Sequence, residues 1–283
     1  MVENKKNNLL SPALYVVSTP IGNLSDITLR ALEVLKNSDY ILCEDTRHSL
    51  KLLNFYKIKK KLISFHKFNE TKNIQEIFND ISEGKIVSLI SDAGTPLISD
   101  PGEYLIQSAH QQKIKVVSVP GPSAVTAIMS ISGFETKFFF YGFLSKKNNE
   151  RLEELENLSK INNSIVIYLP ARDLKKILKE FELYFKERKV FVARELTKLH
   201  ETYYLGSAGE LLQTISNNDL KGEITLVISN KSVDSNIDNN IDLVSEIKLL
   251  LNKMSAKDIA EYLAEKLKMS KKIIYQNILN IKK

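Results

Sequence analysis

The chain has 283 residues, a length that suits two domains of ordinary size, each with its own core. Its composition, 43% hydrophobic and 26% charged residues, is typical of a globular protein and excludes a disordered one. No apolar run approaches the roughly 20 residues that a membrane-spanning helix needs. The single cysteine, Cys43, excludes an internal disulfide framework, and a small buried residue at a strand end is a better interpretation of it than a catalytic thiol.

The two ends of the chain differ in charge. Residues 1–12 carry two lysines but no apolar core of signal-peptide length, so we expect a disordered start in a cytoplasmic protein. From Leu243 onward, nine lysines accompany four acidic residues, which gives this tail +5 of the +6 net charge of the whole chain. A polyanion is the natural partner for such a tail, although a lysine-rich composition without functional meaning would give the same count.

The first half of the chain alternates apolar segments with helical patterns. After the first segment, Ser25 or Asp26 is expected to cap a helix with Leu29, Leu32 and Leu35 on one face. Alternation of this kind predicts a mainly parallel sheet, in which the loops at the carboxyl ends of the strands share a crevice. The predicted strands lie at 14–18, 40–43, 62–65, 86–90 and 116–119.

One stretch, SLISDAGTPLISDPG at 88–102, stands out within this half. It opens as a buried strand and breaks into a loop of small residues that begins at Asp92, where open α/β sheets place their ligands. The pattern therefore predicts a loop that approaches a ligand. A tight connection to a capped helix fits the same pattern equally well.

The second half repeats the alternation at a different spacing, with strands expected at 138–143, 164–169, 190–193 and 223–228. We therefore predict one α/β domain at 13–134 and a second at 135–230, with a ligand crevice between them. Residues 231–242 are polar and rich in asparagine, and are typical of a linker.

The remaining residues, 243–283, are predicted to form a basic helical domain. Ser255 and Asp258 have the spacing of a capping box, and Ser270 is placed to cap the next helix. This pair of helices fits a helix-turn-helix that binds nucleic acid, or a plain helical hairpin used for packing.

Six motifs, taken together and in order, resemble the tetrapyrrole (corrin/porphyrin) methylase superfamily, and within it the branch that methylates ribosomal RNA. They are LYVVSTPIGNLSDIT at 14–28, EDTR at 44–47, SDAGTPLISDPG at 91–102, VPGPSA at 119–124, FYGFL at 140–144 and RELTKLHE at 194–201. The fold class that this resemblance implies is α/β, with two α/β domains, a cofactor cleft between them and a small helical C-terminal domain.

The resemblance also implies an activity. It is methyl transfer from S-adenosylmethionine to the ribose 2′-hydroxyl of a cytidine in the decoding region of 16S rRNA, with the 30S subunit as partner and a homodimer as the usual assembly. The cofactor would be held by residues at the strand ends of both domains, namely Pro20, Asp92, Gly94, Thr95, Pro96, Ser123, Ala124, Leu169, Pro170, Gly222 and Thr225.

A ribose hydroxyl is a poor nucleophile, so a general base within hydrogen-bond reach would help the transfer. The candidates are Glu44, Asp45, Asp100, Glu195 and Glu201. Two of these interpretations have structural alternatives. The EDTR segment could be an ion-paired cluster that only braces its loop, and Asp100 could be a helix cap.

Basic residues near these motifs are candidates for RNA phosphate contacts: Arg47, Arg194 and Lys198 in the body of the chain, and Lys271 and Lys272 in the tail. No metal site is expected, because the four histidines lack paired ligand spacing. Two other functions remain open, a methyltransferase that acts on a small molecule and an RNA-binding assembly factor without catalytic activity.

Overall fold

A computed structural model describes residues 10–66, 73–215, 221–230, 243–251, 254–267 and 270–281. The chain divides into two compact units, Met1–Asn230 and Lys231–Lys283. Most of the predicted disordered start and the whole predicted linker lie outside the described residues. None of the described helices is long and apolar enough to cross a membrane.

The first sheet is entirely parallel, as the alternation predicts. Its strands are β1 (Ala13–Val17), β2 (Tyr40–Cys43), β3 (Lys61–Ser64), β4 (Ile86–Ile90) and β5 (Val116–Val119), in the order β3-β2-β4-β1-β5. Helices pack on both faces of the sheet because the central strands are apolar on both sides, and each face forms its own core. All the carboxyl ends therefore lie at one edge.

Five helices connect these strands: α1 (Leu29–Asn37), α2 (Thr46–Phe55), α3 (Ile74–Ser82), α4 (Glu103–Gln111) and α5 (Ala124–Ser132). The predicted cap of α1 is wrong. A short 3-10 turn occupies Leu24–Asp26, and Thr28 accepts the capping hydrogen bond from Ala31 N at 3.1 Å. Leu29 is consequently 87% exposed, while Ala31, Val34 and Leu35 are buried.

The second sheet is mixed. Its strands β6 (Phe138–Phe143), β7 (Ser164–Pro170), β8 (Val190–Arg194), β9 (Thr202–Gly206) and β10 (Glu223–Ile228) lie in the order β6-β7-β10-β8-β9, and only β6 and β7 run parallel. Strand β9 is not predicted by the sequence pattern, because its alternation follows directly on a run of polar residues. The helices α6 (Asn148–Ser159), α7 (Leu174–Tyr184) and α8 (Ala208–Thr214) cover one face of this sheet around a large apolar core.

The other face of the second sheet packs against the helix that ends the first half of the chain. Val125 and Ile128 of α5 contact Val166, Phe191 and Val227 in a separate apolar cluster. The chain passes from one sheet to the other over residues 133–137, between α5 and β6. The two sheets thus lie within one compact unit, and their division into two domains stays a prediction.

The second unit contains α9 (Leu243–Leu251), α10 (Ala256–Leu267) and α11 (Lys271–Ile281). Ser255 accepts from Asp258 N at 3.3 Å, which is one half of the predicted capping box at the start of α10, and its hydroxyl donates to the Asp258 carboxylate. The three helices enclose a small core of Ile247, Ile259, Ala260, Leu263, Ile274 and Ile278. This packing fits both the helix-turn-helix and the plain hairpin.

Gly142 interrupts β6 with a bulge that brings the second sheet against the loop after β4. The register with β7 shifts between Phe140 and Gly142, and Gly142 has φ of 86°. A Cβ at this position would lie 2.9 Å from the Ser99 hydroxyl oxygen, a distance that real Cβ contacts do not show. Any other residue here would have to displace the Ser99 hydroxyl and adopt a positive φ, so glycine favours this close approach.

We expect Gly142→Ala to lower the free energy of unfolding by about 2 to 4 kcal/mol, because the new Cβ would clash with the Ser99 hydroxyl and because alanine is strained at a positive φ. Gly133→Ala is the matched control, since Gly133 has φ of 70° and open space around its Cβ position. The control should lose only about 1 to 2 kcal/mol. Urea unfolding of both variants measures the difference, and equal losses would show that the Ser99 contact is easily relieved.

Candidate active site

Three strand-end loops are tied together at the carboxyl edge of the first sheet. Thr19 after β1 and Gly94 after β4 exchange two backbone hydrogen bonds of 2.8 and 3.0 Å. The Thr95 hydroxyl lies 2.9 Å from the Ser18 hydroxyl and donates to the Pro122 carbonyl at 3.2 Å. The loops after β1, β4 and β5 therefore hold a fixed relation to one another.

A cavity of about 450 Å³ opens between these loops and the second sheet. Nine of the predicted cofactor residues line it: Asp92, Gly94, Thr95, Ser123, Ala124, Leu169, Pro170, Gly222 and Thr225. They come from four separate segments on both sides of the cavity. The structure thus brings together residues that are far apart in the sequence.

Two predicted cofactor residues, Pro20 and Pro96, do not line the cavity. Both are buried, and each follows a residue that is fixed by the loop contacts, Thr19 or Thr95. A proline ring fixes φ of its residue, so each proline restricts the course of its loop. Their neighbours Ile21 and Ile98 form part of the wall.

The sequence pattern misses several wall residues. These are Ile21, Ala93, Ile98, Ser99, Phe143, Tyr168 and Leu196. Most are apolar or aromatic, and such residues next to a motif fit a core as well as they fit a pocket. Phe143 lies within the FYGFL motif, and this motif was the only available signal for it.

Asp100 lines the cavity and is not a helix cap. Gly102, with φ of 123°, occupies the cap position of α4. The pKa of Asp100 is raised to about 6, mainly because the side chain is buried; a hydrogen bond with Ser91 acts in the opposite direction, and the negative charges of Glu44 and Asp92 add smaller upward contributions. Asp100 is therefore a half-buried carboxylate of raised basicity that faces the cavity.

Tyr168 lies beside Asp100 on the second-sheet wall. Burial, together with the charge of Asp100, raises the pKa of Tyr168 to about 12. The phenol stays protonated at neutral pH, and its ring packs edge-on against Phe140 and tilted against Phe143. Tyr168 is thus a neutral polar group in the cavity wall.

The EDTR residues do not line the cavity, and two of them, Asp45 and Arg47, form an ion-paired brace. Asp45 caps α2 by accepting from Arg47 N at 2.8 Å, and it also accepts two hydrogen bonds from the Arg47 guanidinium. These bonds hold the pKa of Asp45 well below its usual range. Glu44 differs, because burial and then the charge of Asp92 raise its pKa.

The RELTKLHE loop brings one cation to the cavity. Lys198 lines it, and its ammonium donates at 2.9 Å to both Glu195 and Glu223. Glu195 lies behind the lining and also accepts from Glu223 N at 2.9 Å. Burial raises the pKa of Glu195, but these donors outweigh that effect and lower it overall, so Glu195 is suited to bracing the loop.

The same loop crosses to the first half of the chain. Thr197, with φ of 66°, accepts a hydrogen bond from Asn23 N at 3.1 Å, and a Cβ on Gly22 would lie 2.5 Å from Lys198 Cγ. These contacts lie next to Ile21, Leu196 and Lys198, which line the cavity.

The other candidates lie away from the cavity lining. Arg194 donates to the carbonyls of Lys221 and His200, and Glu201 accepts from Tyr203. Lys271 pairs with Glu261 at 2.8 Å in the second unit, and the side chain of Lys272 lies outside the described residues. Within the described ranges, no group of three or more histidine, cysteine or acidic residues could hold a metal ion.

We expect Asp100→Asn to stabilise the folded protein at neutral pH by about 3 kcal/mol. A carboxyl whose pKa is raised to about 6 on folding does not lower the free energy of unfolding in acid, where it is protonated in both states. It lowers this free energy progressively as the pH rises from the ordinary pKa of an aspartate to about 6. The gain of the variant should therefore appear across this window and stay constant above it. Urea unfolding between pH 4 and pH 8 measures it, with the exposed Glu103→Gln as a control that should show no such gain.

Comparison with known proteins agrees with this architecture. Residues 13–212 match the family model of tetrapyrrole (corrin/porphyrin) methylases. A protein of Thermotoga maritima named ribosomal RNA small subunit methyltransferase I is 46% identical over 220 residues, which cover 77% of this chain and 98% of that protein. Its namesake in Synechocystis is 37% identical over 272 residues, which cover 95% of this chain and 98% of that protein.

Solved structures show the same fold at lower identity. A cobalt precorrin-4 methyltransferase of cobalamin biosynthesis superposes with a TM-score of 0.56 at 19% identity, covering 77% of this chain and 95% of its own. A diphthine synthase superposes with a TM-score of 0.60 at 14% identity, covering 77% and 90%. The resemblance and the fold class predicted from the motifs are thereby confirmed, and the chain belongs to the tetrapyrrole (corrin/porphyrin) methylase family.

Proposed function

We propose that the protein transfers a methyl group from S-adenosylmethionine to the ribose 2′-hydroxyl of a cytidine in 16S rRNA. Its family is one of methyltransferases, and the relatives that match over most of the chain are named as ribosomal RNA small subunit methyltransferases. The observation that carries the chemical part of the proposal is the half-buried Asp100 in the cavity between the sheets.

The cavity fits a donor of this kind. Its volume of about 450 Å³ lies within the roughly 300 to 1,000 Å³ of ligand pockets. Gly94 has φ of 80° and no Cβ. A Cβ at this position would lie 3.3 Å from the Ile21 side chain, so glycine allows the two loops to pass close together in the cavity wall. Apolar side chains from both sheets alternate with polar ones such as Asp92 and Thr225, which suits a ligand with an aromatic base and polar ends.

The reaction requires little of the protein beyond positioning and removal of one proton. S-adenosylmethionine, when bound, supplies a methyl group on a sulfonium that is already activated for transfer. The walls must then hold the acceptor oxygen at about 3 to 3.5 Å from the methyl carbon and exclude water. The apolar lining, with Ile21, Phe143 and Leu196, serves that exclusion.

Asp100 is the group that would take the proton. Its pKa of about 6 leaves it ionised at neutral pH and yet about a hundredfold more basic than an ordinary aspartate. The Asp100 carboxylate would accept the hydroxyl proton while the ribose oxygen takes the methyl group, the carbon–sulfur bond of the donor breaks and the sulfur leaves as a neutral thioether. The protonated Tyr168 beside it can donate a hydrogen bond to the acceptor oxygen or to Asp100.

We expect Asp100→Asn to lower kcat by roughly 10² to 10⁴-fold while the affinity for S-adenosylmethionine changes only a few-fold. The assay measures labelled methyl groups in the rRNA of unmethylated 30S subunits. For the unaltered protein, kcat/KM should rise with pH below about 6 and level off above it, because Asp100 must be ionised. The variant should lose this rise.

The position of the label tests the acceptor. A methylated ribose 2′-oxygen protects the neighbouring phosphodiester from alkaline cleavage, so the label should survive in an alkali-resistant dinucleotide. Label in alkali-sensitive nucleotides would place the methyl group on a base and contradict the proposal. Label only in a small-molecule acceptor would favour the other enzyme class.

We expect Thr95→Arg to abolish binding of S-adenosylmethionine, because its long side chain would enter the cavity and its loss of the hydroxyl would remove the tie between Ser18 and Pro122. Thr95→Ser keeps that hydroxyl and is the matched control. Calorimetric titration with S-adenosylmethionine measures both. Circular dichroism should show that the arginine variant stays folded, and undiminished affinity in that variant would place the cofactor elsewhere.

A further inference from the structure

A second cavity, of about 490 Å³, shares a wall with the first. The wall consists of Phe143 from β6 and of Tyr168, Leu169 and Pro170 from β7, which line both cavities. Phe143 is 57% exposed, so the partition ends in an aromatic ring at the surface. A ligand in the first cavity could therefore continue past this ring into the second.

The second cavity is basic. Lys146, Arg172 and Lys176 line it, all three are exposed, and none forms a salt bridge with any side chain in the described part of the molecule. The only carboxylate in its lining is Asp173. Three free cations against one carboxylate leave a net charge of +2.

The fourth cation of this cavity, Arg151, is already neutralised. Its guanidinium is buried and donates two hydrogen bonds of 2.8 Å to Glu180. It also donates to the carbonyls of Ser145 and Lys146, and to Asn148. Arg151 thereby fixes the backbone from which the Lys146 side chain extends, so the cavity has a rigid rim.

The first cavity cannot receive a polyanion by itself. Asp92, Asp100 and Glu223 line it, and its single cation, Lys198, is paired with Glu195 and Glu223. A phosphate placed there would meet carboxylates at close range, which is strongly unfavourable in a half-buried site. The backbone of an RNA substrate needs unpaired cations beside the cavity, and Arg172 and Lys176 supply them.

We propose that the basic cavity binds a backbone phosphate of the RNA strand whose target ribose lies in the first cavity. Arg172 and Lys176 are the principal contacts, and Lys146 is at the rim. An arginine can hold two phosphate oxygens in a bidentate pair, and lysine adds a charge without fixed geometry. The inference rests on the proposed function and names the part of the substrate that this surface holds.

The test compares two double variants that remove the same charge. Arg172→Ala with Lys176→Ala removes the proposed contacts, whereas Lys179→Ala with Lys186→Ala removes two exposed cations outside the cavity lining. For each protein we would measure KM and kcat with unmethylated 30S subunits, binding of a labelled 16S rRNA fragment by anisotropy at several salt concentrations, and affinity for S-adenosylmethionine by calorimetry.

We expect the first double variant to raise KM about tenfold with kcat and cofactor affinity nearly unchanged, and its binding to RNA should depend less steeply on salt by about one phosphate contact. Arg172→Lys with Lys176→Arg keeps both charges and should recover most of the affinity. The control pair should behave like the unaltered protein.

Other outcomes would overturn the inference. If wild-type protein methylates rRNA and both double variants keep its KM and salt dependence, the proposed function stands and the phosphate site is wrong. Loss of cofactor affinity with unchanged RNA binding would assign the cavity to the methyl donor. If the wild-type protein transfers no label to rRNA, the proposed function fails. In that case the anisotropy measurement still tests the phosphate site, and equal RNA affinity of the two double variants would overturn it as well.

Discussion

The backbone pairing of Thr19 with Gly94 is the constraint on which the site depends. Two hydrogen bonds form an isolated antiparallel bridge between the loops that follow the adjacent parallel strands β1 and β4. The Thr95 hydroxyl extends this link to Ser18 and to the loop after β5. Because each backbone group in this bridge is satisfied by its partner, the loops need no ligand to hold their course.

A preformed wall of this kind matters for a reaction that depends mainly on positioning. If the loops had to order around the cofactor, the ordering entropy would oppose binding, at about 1 to 2 kcal/mol for each residue fixed. The glycine at position 94 permits both the bridge and the narrow wall, since its φ of 80° would strain any other residue. Gly94 thus contributes both to the link between the loops and to the shape of the cavity.

The sequence predicts the first sheet well because its strands are buried on both faces and end in clear breaks. All five strands appear within one residue of the expected bounds. The sequence pattern fails at the N-cap of α1 and at strand β9, where several residues or structures fit the local sequence equally well. Thr28 caps α1 because the preceding turn already uses Ser25 and Asp26, and β9 is short, partly exposed and adjacent to a polar loop.

For the site, the sequence identifies segments better than side chains. Small residues at loop positions, such as Gly94 and Ser123, line the cavity as expected, because little else is compatible with close approach of a ligand. Charged residues are harder to place. Glu44, Asp45 and Asp100 are similar in the sequence, but only the fold shows that Asp45 is paired with Arg47 while Asp100 faces the cavity and is partly desolvated. Desolvation depends on contacts between distant segments and has no local signature.

The distribution of charge across the shared aromatic wall follows from the chemistry proposed. A base that takes a proton from a hydroxyl works best with raised basicity, which burial and the neighbouring carboxylates Glu44 and Asp92 provide. A cation at the same place would lower the pKa of Asp100 and weaken it as a base. An anionic strand, however, is attracted by cations and repelled by carboxylates. The wall of Phe143 and Tyr168 resolves this conflict, because it places the free cations Arg172 and Lys176 in a separate, more exposed cavity, where solvent screens their effect on Asp100.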